Sequence, residues 1–361
     1  MSYEYDTPYV FIDIGQAGRN IDKAIQGLTR AGIKHRPHIK THKSVLLAKM
    51  QLEKGASGIT CAKLGEAEVM MQNGIADILI ANEIIGENKI ERLLSLNKKG
   101  RATSCIDSLE GASALSGAAA ARGVKLPVFI EIDSGGGRCG RQPGDDVMRF
   151  AKAVSLLSGL EITGVMTYAG HIYGQAGDEM RAAVIHESGV LLEAAEALKS
   201  IGLNIRETSG GSSLSLRFIE DMRGLTESRA GNYIFNDCNS LFGNVCGVEE
   251  CALRVVSTVI SRPAKNRAII DAGSKTISSD LCSYRSGFGY IAEYPGIEIY
   301  KLNEEHGYLR LPEGVNPGIG ERITIIPNHS CMPPNLTDEI VMVENGELKG
   351  LLPIDARGKN K

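Results

Sequence analysis

Between residue 34 and about residue 240, short apolar runs alternate with amphipathic stretches, and this period constrains the fold more than any other feature of the chain. The runs near 34–40, 58–62, 77–82, 101–107, 126–133, 161–169, 204–209 and 225–229 read as strands, and stretches between them such as 44–55, 64–74, 145–159 and 178–202 read as helices. Eight strand–helix units in this length are the count of a (β/α)8 TIM-type barrel, with a doubly wound open sheet as the alternative. A further strand near 9–14 precedes the first unit and is set aside from the count. Several helical stretches run into glycine, at Gly32, Gly55, Gly74, Gly100 and Gly123, which supplies the left-handed residue a helix C-terminus often uses.

After about 240 the texture changes to alternating runs, at 252–260, 267–271, 297–302, 322–326 and 339–343, with no long helical period. The expectation is an α/β chain with a barrel over 12–240 and a β domain over 241–361, residues 1–11 being free to join the latter. A chain of 361 residues is long enough for both. Net charge of −3 gives no basic field for nucleic acid and no polybasic membrane signal, so a small molecule is the expected partner. The acidic start, Met1 to Asp6, lacks the regions of a signal peptide, and no segment carries the ~18 apolar residues of a membrane span. Eight cysteines without Cys-x-x-Cys pairs are expected as thiols, and the protein as cytoplasmic.

Chemistry-bearing residues gather where the strands should end, which in a barrel is the catalytic face. Lys34 to Lys43 holds three histidines, one arginine and three lysines in ten residues; read as a strand, it turns Arg36, His38 and Lys40 to one basic side. Asp133 to Gly140 sets Arg138 and Cys139 in a glycine-rich loop, a surface turn or an arginine held for a phenolate or carboxylate. Ser209-Gly210-Gly211-Ser212-Ser213 precedes a helical stretch from near Leu214, and Arg229 to Tyr233 ends the next strand. Seventh and eighth strand ends are the common phosphate site of such barrels. His329 and Cys331 stand at i and i+2 in an extended setting, so imidazole and thiol share a face and can hold one metal ion, though a structural site wants four ligands.

Arg36-Pro37-His38-Ile39-Lys40-Thr41-His42-Lys43, the Arg138 loop, Tyr168-Ala169-Gly170-His171, Ser209-Gly210-Gly211, Arg229 to Tyr233 and Asn328-His329-Ser330-Cys331 resemble, in order and over nearly the whole chain, the D-threonine aldolase and D-serine dehydratase family. That family belongs to the alanine-racemase-like, fold type III pyridoxal-phosphate enzymes. The resemblance implies pyridoxal 5'-phosphate in the barrel, a divalent metal in the β domain and a homodimer. Lys40 is then the Schiff-base lysine, and its flanking cations disfavour its charged form. Ser209, Gly210, Gly211, Ser212, Gly231, Asn232 and Tyr233 hold the phosphate, with Tyr168 also at the cofactor. Arg138 faces the phenolate side and Arg229 the pyridine nitrogen. His171 is the candidate for proton transfer at the substrate hydroxyl, against a core histidine. His329 and Cys331 are the metal ligands.

On this scaffold an arginine at the pyridine nitrogen weakens the ring as an electron sink, so a second electrophile has to help break a bond to Cβ. A thiolate ligand favours Zn over Mn or Mg. Family aldolases often carry His-x-Asp and dehydratases His-x-Cys. The expectation is a lyase acting on a 3-hydroxy D-amino acid, D-serine or 3-hydroxy-D-aspartate in type, by dehydration. Retro-aldol cleavage is the alternative, followed by racemisation. A non-enzymatic pyridoxal-phosphate carrier is the reading from another class.

Overall fold

The computed structural model describes residues 5–361. The chain forms two compact units: one from residues up to Lys23 together with 41–46 and 232–357, the other from 24–40, 47–231 and 358–361. The first strand, β1 (Tyr9–Asp13), belongs to the former.

The second unit is an eight-stranded parallel sheet. Its strands are β2 (Lys34–His35), β3 (Ile59–Cys61), β4 (Asp77–Glu83), β5 (Arg101–Ile106), β6 (Leu126–Glu131), β7 (Leu160–Met166), β8 (Glu207–Gly210) and β9 (Glu227–Ser228). Their order, β2-β9-β8-β7-β6-β5-β4-β3, follows the chain around a curl whose two ends meet at a parallel bridge between His38 and Thr60. There Thr60 N–H donates to Pro37 O at 2.8 Å. This is the TIM-type barrel, and the open doubly wound sheet does not occur. Strands β3, β5, β6 and β7 are buried along most of their length, and β4 at Ile78 to Ile80, because helices cover them, which is why they read as continuous apolar runs rather than alternating ones. Leu79, Cys105, Phe129 and Met166, one from each of β4 to β7, pack into a single cluster.

The basic segment departs from expectation. The strand itself spans only Lys34–His35, with a single bridge beyond it at His38, and Ile39–Thr41 is a 3₁₀ turn, so Arg36, His38 and Lys40 do not share one strand face. The stretch from Leu214 is also no α-helix: Ser215–Asp221 is 3₁₀ with a break at Phe218 (φ −123°, ψ 42°). Gly32, Gly55, Gly74 and Gly123 have the positive φ expected of them. Gly100 does not and is needed for another reason: a Cβ there would stand 2.5 Å from Ala76 O.

The other unit carries β1 with β10 (Leu253–Ala264), β11 (Arg267–Ile270), β12 (Tyr290–Ile291), β13 (Glu298–Leu302), β14 (Gly307–Arg310), β15 (Arg322–Ile326), β16 (Glu339–Glu344) and β17 (Glu347–Pro353). The main path is β13-β14-β11-β10-β1-β16-β17, with β15 on β10 and β12 on β15. All pairs are antiparallel except β1 with β16, so the first strand of the chain lies inside this sheet. Phe11, Val256 and Val341 pack together across those three strands. A second cluster gathers Cys238, Cys251, Cys282 and Ile326, and all eight cysteines of the chain are free thiols. Among the described residues no helix is long and apolar enough to cross a membrane.

Candidate active site

In the barrel unit two expected residues converge on the aromatic ring of a third. Lys40 is exposed in its 3₁₀ turn with Nζ 5.6 Å from the centre of the Tyr168 ring, and the Arg138 guanidinium lies 5.2 Å from the same centre. Tyr168 therefore gathers an amine and a guanidinium at the end of β7, each within cation–π range. Arg138 stays in place through its loop and one acid. Asp133 Oδ1 accepts from the N–H groups of Gly135 (2.9 Å) and Gly137 (3.1 Å), Gly140 N–H donates to Asp107 Oδ2 (3.1 Å), and Arg138 Nη2 lies 3.5 Å from Glu131 Oε1. His171, in the 3₁₀ turn Gly170–Ile172, has a buried Nδ1 with no hydrogen-bond partner among the described residues.

Glu131 also belongs to a group that no sequence motif marked. Oxygens of Glu83 and Glu131 and the Cys105 thiol lie within 4.8 Å of one another at the ends of β4 to β6, as do donor atoms of Glu83, Asp107 and Cys139. Burial, then the charges of Glu131 and Asp107, push the Glu83 carboxyl up to about 7.

Arg229 is buried and fully framed. Nη1 donates to Ser209 Oγ at 2.8 Å and Nη2 to Thr167 O, while Ser209 Oγ donates to Glu227 Oε1 at 2.7 Å. Glu227 in turn accepts from Arg36 Nε at 2.8 Å, and Arg36 Nη1 donates to Asp77 Oδ1 at 2.8 Å. Arg36 is thus a buried guanidinium neutralised by two acids, and it adds no net charge beside Lys40. The Ser209 hydroxyl is spent on Arg229 and Glu227.

The loop after β8 is tight. Gly211 has φ +75°, and a Cβ on it would meet Met222 Cε at 2.4 Å. Its N–H donates to Glu187 Oε1 at 3.1 Å; Ser212 N–H donates to Ser215 Oγ at 3.1 Å, and the Ser212 and Ser215 hydroxyls are 3.0 Å apart. Glu187, buried in helix Gly177–Ser200, has its carboxyl raised by burial against the pull of Arg229 and the two N–H groups it accepts from. Burial likewise lowers Arg229. Glu187 sits mid-helix with no motif around it, and its role was invisible in the sequence.

In the other unit His329 and Cys331 follow β15. Cys331 directs its thiol to Thr41 Oγ1 at 3.2 Å, and His329 Nδ1 lies 3.3 Å from Asp237 Oδ2. The negative charge of Cys331, opposed by burial and helped by Asp237, pushes the imidazole up to about 11. Asn232, in the 3₁₀ turn Asn232–Ile234 with Tyr233, has its side chain engaged at both ends: Nδ2 donates to Asp237 Oδ2 at 2.6 Å, and Oδ1 accepts from the Ser330 hydroxyl. Gly210, Gly231 and Tyr233 are all buried. Lys43, a third lysine of the basic segment beside Lys34 and Lys40, is buried with Nζ on Asn335 Oδ1 at 2.8 Å.

A parallel barrel together with a mostly antiparallel unit is an architecture that other proteins share. Residues 12–238 match the alanine racemase N-terminal domain and residues 252–343 the domain described as "Putative serine dehydratase domain". The chain belongs to this alanine-racemase-like family, for which pyridoxal phosphate is the expected cofactor, and is an enzyme of its lyase branch. It is 33% identical to a 3-hydroxy-D-aspartate aldolase of Paracoccus denitrificans (strain Pd 1222) over 99% of this chain and 93% of that one. A crystal structure of D-threonine aldolase from Filomicrobium marinum superposes with a TM-score of 0.91 at 31% identity, covering 99% of this chain and 97% of that one. A D-threo-3-hydroxyaspartate dehydratase mutant in the metal-free form gives a TM-score of 0.88 at 31% identity, covering 97% and 98%.

Proposed function

We propose that this chain is a lyase dependent on pyridoxal phosphate and a divalent metal, acting on a 3-hydroxy D-amino acid and working by dehydration to a 2-oxo acid and ammonia. The observation that carries the metal and the hydroxylated substrate is the His329–Cys331 pair, an imidazole whose Nδ1 is turned to Asp237 beside a thiol two residues away. Two donors of this kind suit zinc and leave open positions for a substrate oxygen. The barrel residues suit the cofactor: an exposed amine and an arginine about one ring, a glycine loop too tight for a side chain, and an imidazole nitrogen without a partner.

Pyridoxal phosphate, when bound, supplies the electron sink that loosens bonds at the substrate's Cα, and a divalent metal supplies a Lewis acid for its β-hydroxyl. The chain's own residues do the rest. Lys40 offers its amine as the cofactor's covalent anchor, and Tyr168 and Arg138 fix the face on which the anchor works. Arg229, framed by Ser209 and Thr167, presents a cation that discourages protonation of a neighbouring ring nitrogen. His171 holds an imidazole nitrogen free to take or give a proton at the hydroxyl. Ser212, Gly210 and Gly211 with Gly231 and Tyr233 remain the proposed phosphate neighbours, whereas Ser209 and Asn232 act through their partners Arg229 and Asp237. We place the enzyme in the cytoplasm, supported by eight unpaired thiols, and expect a homodimer from the family resemblance.

Retro-aldol cleavage is the second reading, favoured by the aldolase names of the Paracoccus and Filomicrobium proteins. Incubating the metal-loaded enzyme with D-serine, D-threonine and 3-hydroxy-D-aspartate separates the two. A 2-oxo acid with ammonia supports dehydration. Glycine with an aldehyde or glyoxylate supports cleavage, racemised substrate alone a racemase, and bound cofactor without turnover a carrier.

A further inference from the structure

Asp237 enters the reading above only as the neighbour of Asn232 and His329, yet its side chain has a partner on every side. It is fully buried and is the N-cap of the short helix Cys238–Phe242, where Oδ1 accepts from Ser240 N–H at 3.0 Å. Oδ2 faces three further donors: Asn232 Nδ2 at 2.6 Å, Ser330 N–H at 3.0 Å and His329 Nδ1 at 3.3 Å. A cap needs one oxygen. The second is committed to the imidazole and to the two groups that hold the segment on either side of it.

We propose that Asp237 is the positioning residue of the metal site. By accepting the Nδ1–H of His329, it leaves Nε2 as the nitrogen that a metal ion would take in place of a proton, and it fixes the plane of the ring. Ser330 N–H and Asn232 Nδ2 keep the carboxylate from turning away. Asn232 is clamped in turn, since its Oδ1 accepts the Ser330 hydroxyl. The groups between Asn232 and Ser330 thus hold the carboxylate on Nδ1 and leave Nε2 as the nitrogen turned from Asp237. The inference rests on the metal reading of His329 and Cys331.

Asp237→Asn is the informative substitution, because asparagine caps a helix as well as aspartate does. Its amide cannot serve both sides: if the oxygen keeps Ser240 N–H, the NH₂ faces three donors, and His329 must present Nδ1 as an acceptor and carry its proton on Nε2. The measurement is zinc affinity by competition with a chromophoric chelator, on the full-length protein carrying its cofactor, for wild type, Asp237→Asn, Asn232→Ala and His329→Ala. Asp237→Asn should weaken zinc by about 10- to 100-fold. Asn232→Ala should weaken it less and in the same direction, which keeps the test intact if Asp237→Asn folds poorly. Cofactor content should not change in either. Zinc bound as tightly by both variants as by wild type overturns the role of Asp237 while leaving the metal site standing. Wild type no tighter than His329→Ala overturns the metal reading itself, and this inference with it.

Discussion

Glu83 carries a charge that burial and two neighbouring acids disfavour, and the cost has a sign. Burial beside Glu131 and Asp107 raises its carboxyl to about 7, so between roughly pH 4.5 and 7 the folded chain binds a proton that the unfolded chain has released. The stability this proton represents is complete below the unfolded pKa and is lost as pH rises through the folded one. Glu83→Gln should therefore raise the unfolding midpoint relative to wild type at pH 8, by about 1 kcal/mol once partial exposure is discounted, with the difference closing by about pH 4.5. Thermal melts of both proteins across that range check it; a variant equally less stable at both pH values would mean the carboxyl acts as a hydrogen-bond partner instead. Lys40 and Lys43 make a second contrast. Lys43 is tied to Asn335 with a left-handed backbone, φ 51°, whereas Lys40 is exposed beside Tyr168. Borohydride treatment followed by peptide mass should find the cofactor fixed to Lys40 in wild type and in Lys43→Ala, and to no lysine in Lys40→Ala. The lysine, the arginines, His171, His329 and Cys331 could be singled out in the sequence because each stands in a short motif of unusual composition. Glu83, Glu131, Glu187 and Asp237 could not, being single acids whose partners are distant in the chain; Asp237 and His329 are 92 residues apart. The nearest thing to a signal was an aspartate ahead of a short helix, which predicts a cap and nothing more.

At the level of elements, hydrophobic runs located β3 to β7, since strands covered on both faces write themselves as apolar segments. The strand that failed was the basic one, 34–40, where only Lys34–His35 pairs as a strand. Period-2 reasoning set Arg36 on a solvated basic face, but its guanidinium is buried on Glu227 and Asp77, partners supplied by β9 and β4 that no local pattern reveals. The loop after β8 went better, because a Ser-Gly-Gly-Ser run states its own need. Gly211→Ala would force an L-residue into φ +75° and press its methyl on Met222. The methionine end can yield, so the backbone sets most of the cost, about 1–2 kcal/mol. The unfolding midpoint should drop by a few degrees, and cofactor should dissociate faster on dialysis than from wild type, since Gly211 N–H is what ties the loop to Glu187. An unchanged cofactor off-rate with a lowered midpoint would separate this glycine from the phosphate site.

Over the whole molecule, residues proposed for the cofactor's anchor and those proposed for the metal fall in different compact units, Lys40, Arg138, Tyr168 and Arg229 in one and His329 and Cys331 in the other. Each set is held by bonds within its own unit, as Arg229 is by Ser209 and Thr167 and His329 by Asp237. Removing the metal should therefore leave cofactor retention and its visible absorption as they are. What is lost is the Lewis acid at the β-hydroxyl, so formation of product should fall by orders of magnitude. Exchange of the substrate's α-proton with deuterated water, which needs the cofactor and a base but no change at Cβ, should persist at least in part. Cys331→Asp puts a harder ligand in place of the thiol and should move the metal that restores activity from zinc toward manganese or magnesium. The decisive measurement sets product formation beside deuterium incorporation for stripped wild type and stripped Cys331→Asp, after re-addition of each metal in turn. If the stripped enzyme turns over at the full rate with no metal detected, His329 and Cys331 are packing residues, and the hydroxyl leaves by acid catalysis from the barrel side, where His171 is the available imidazole.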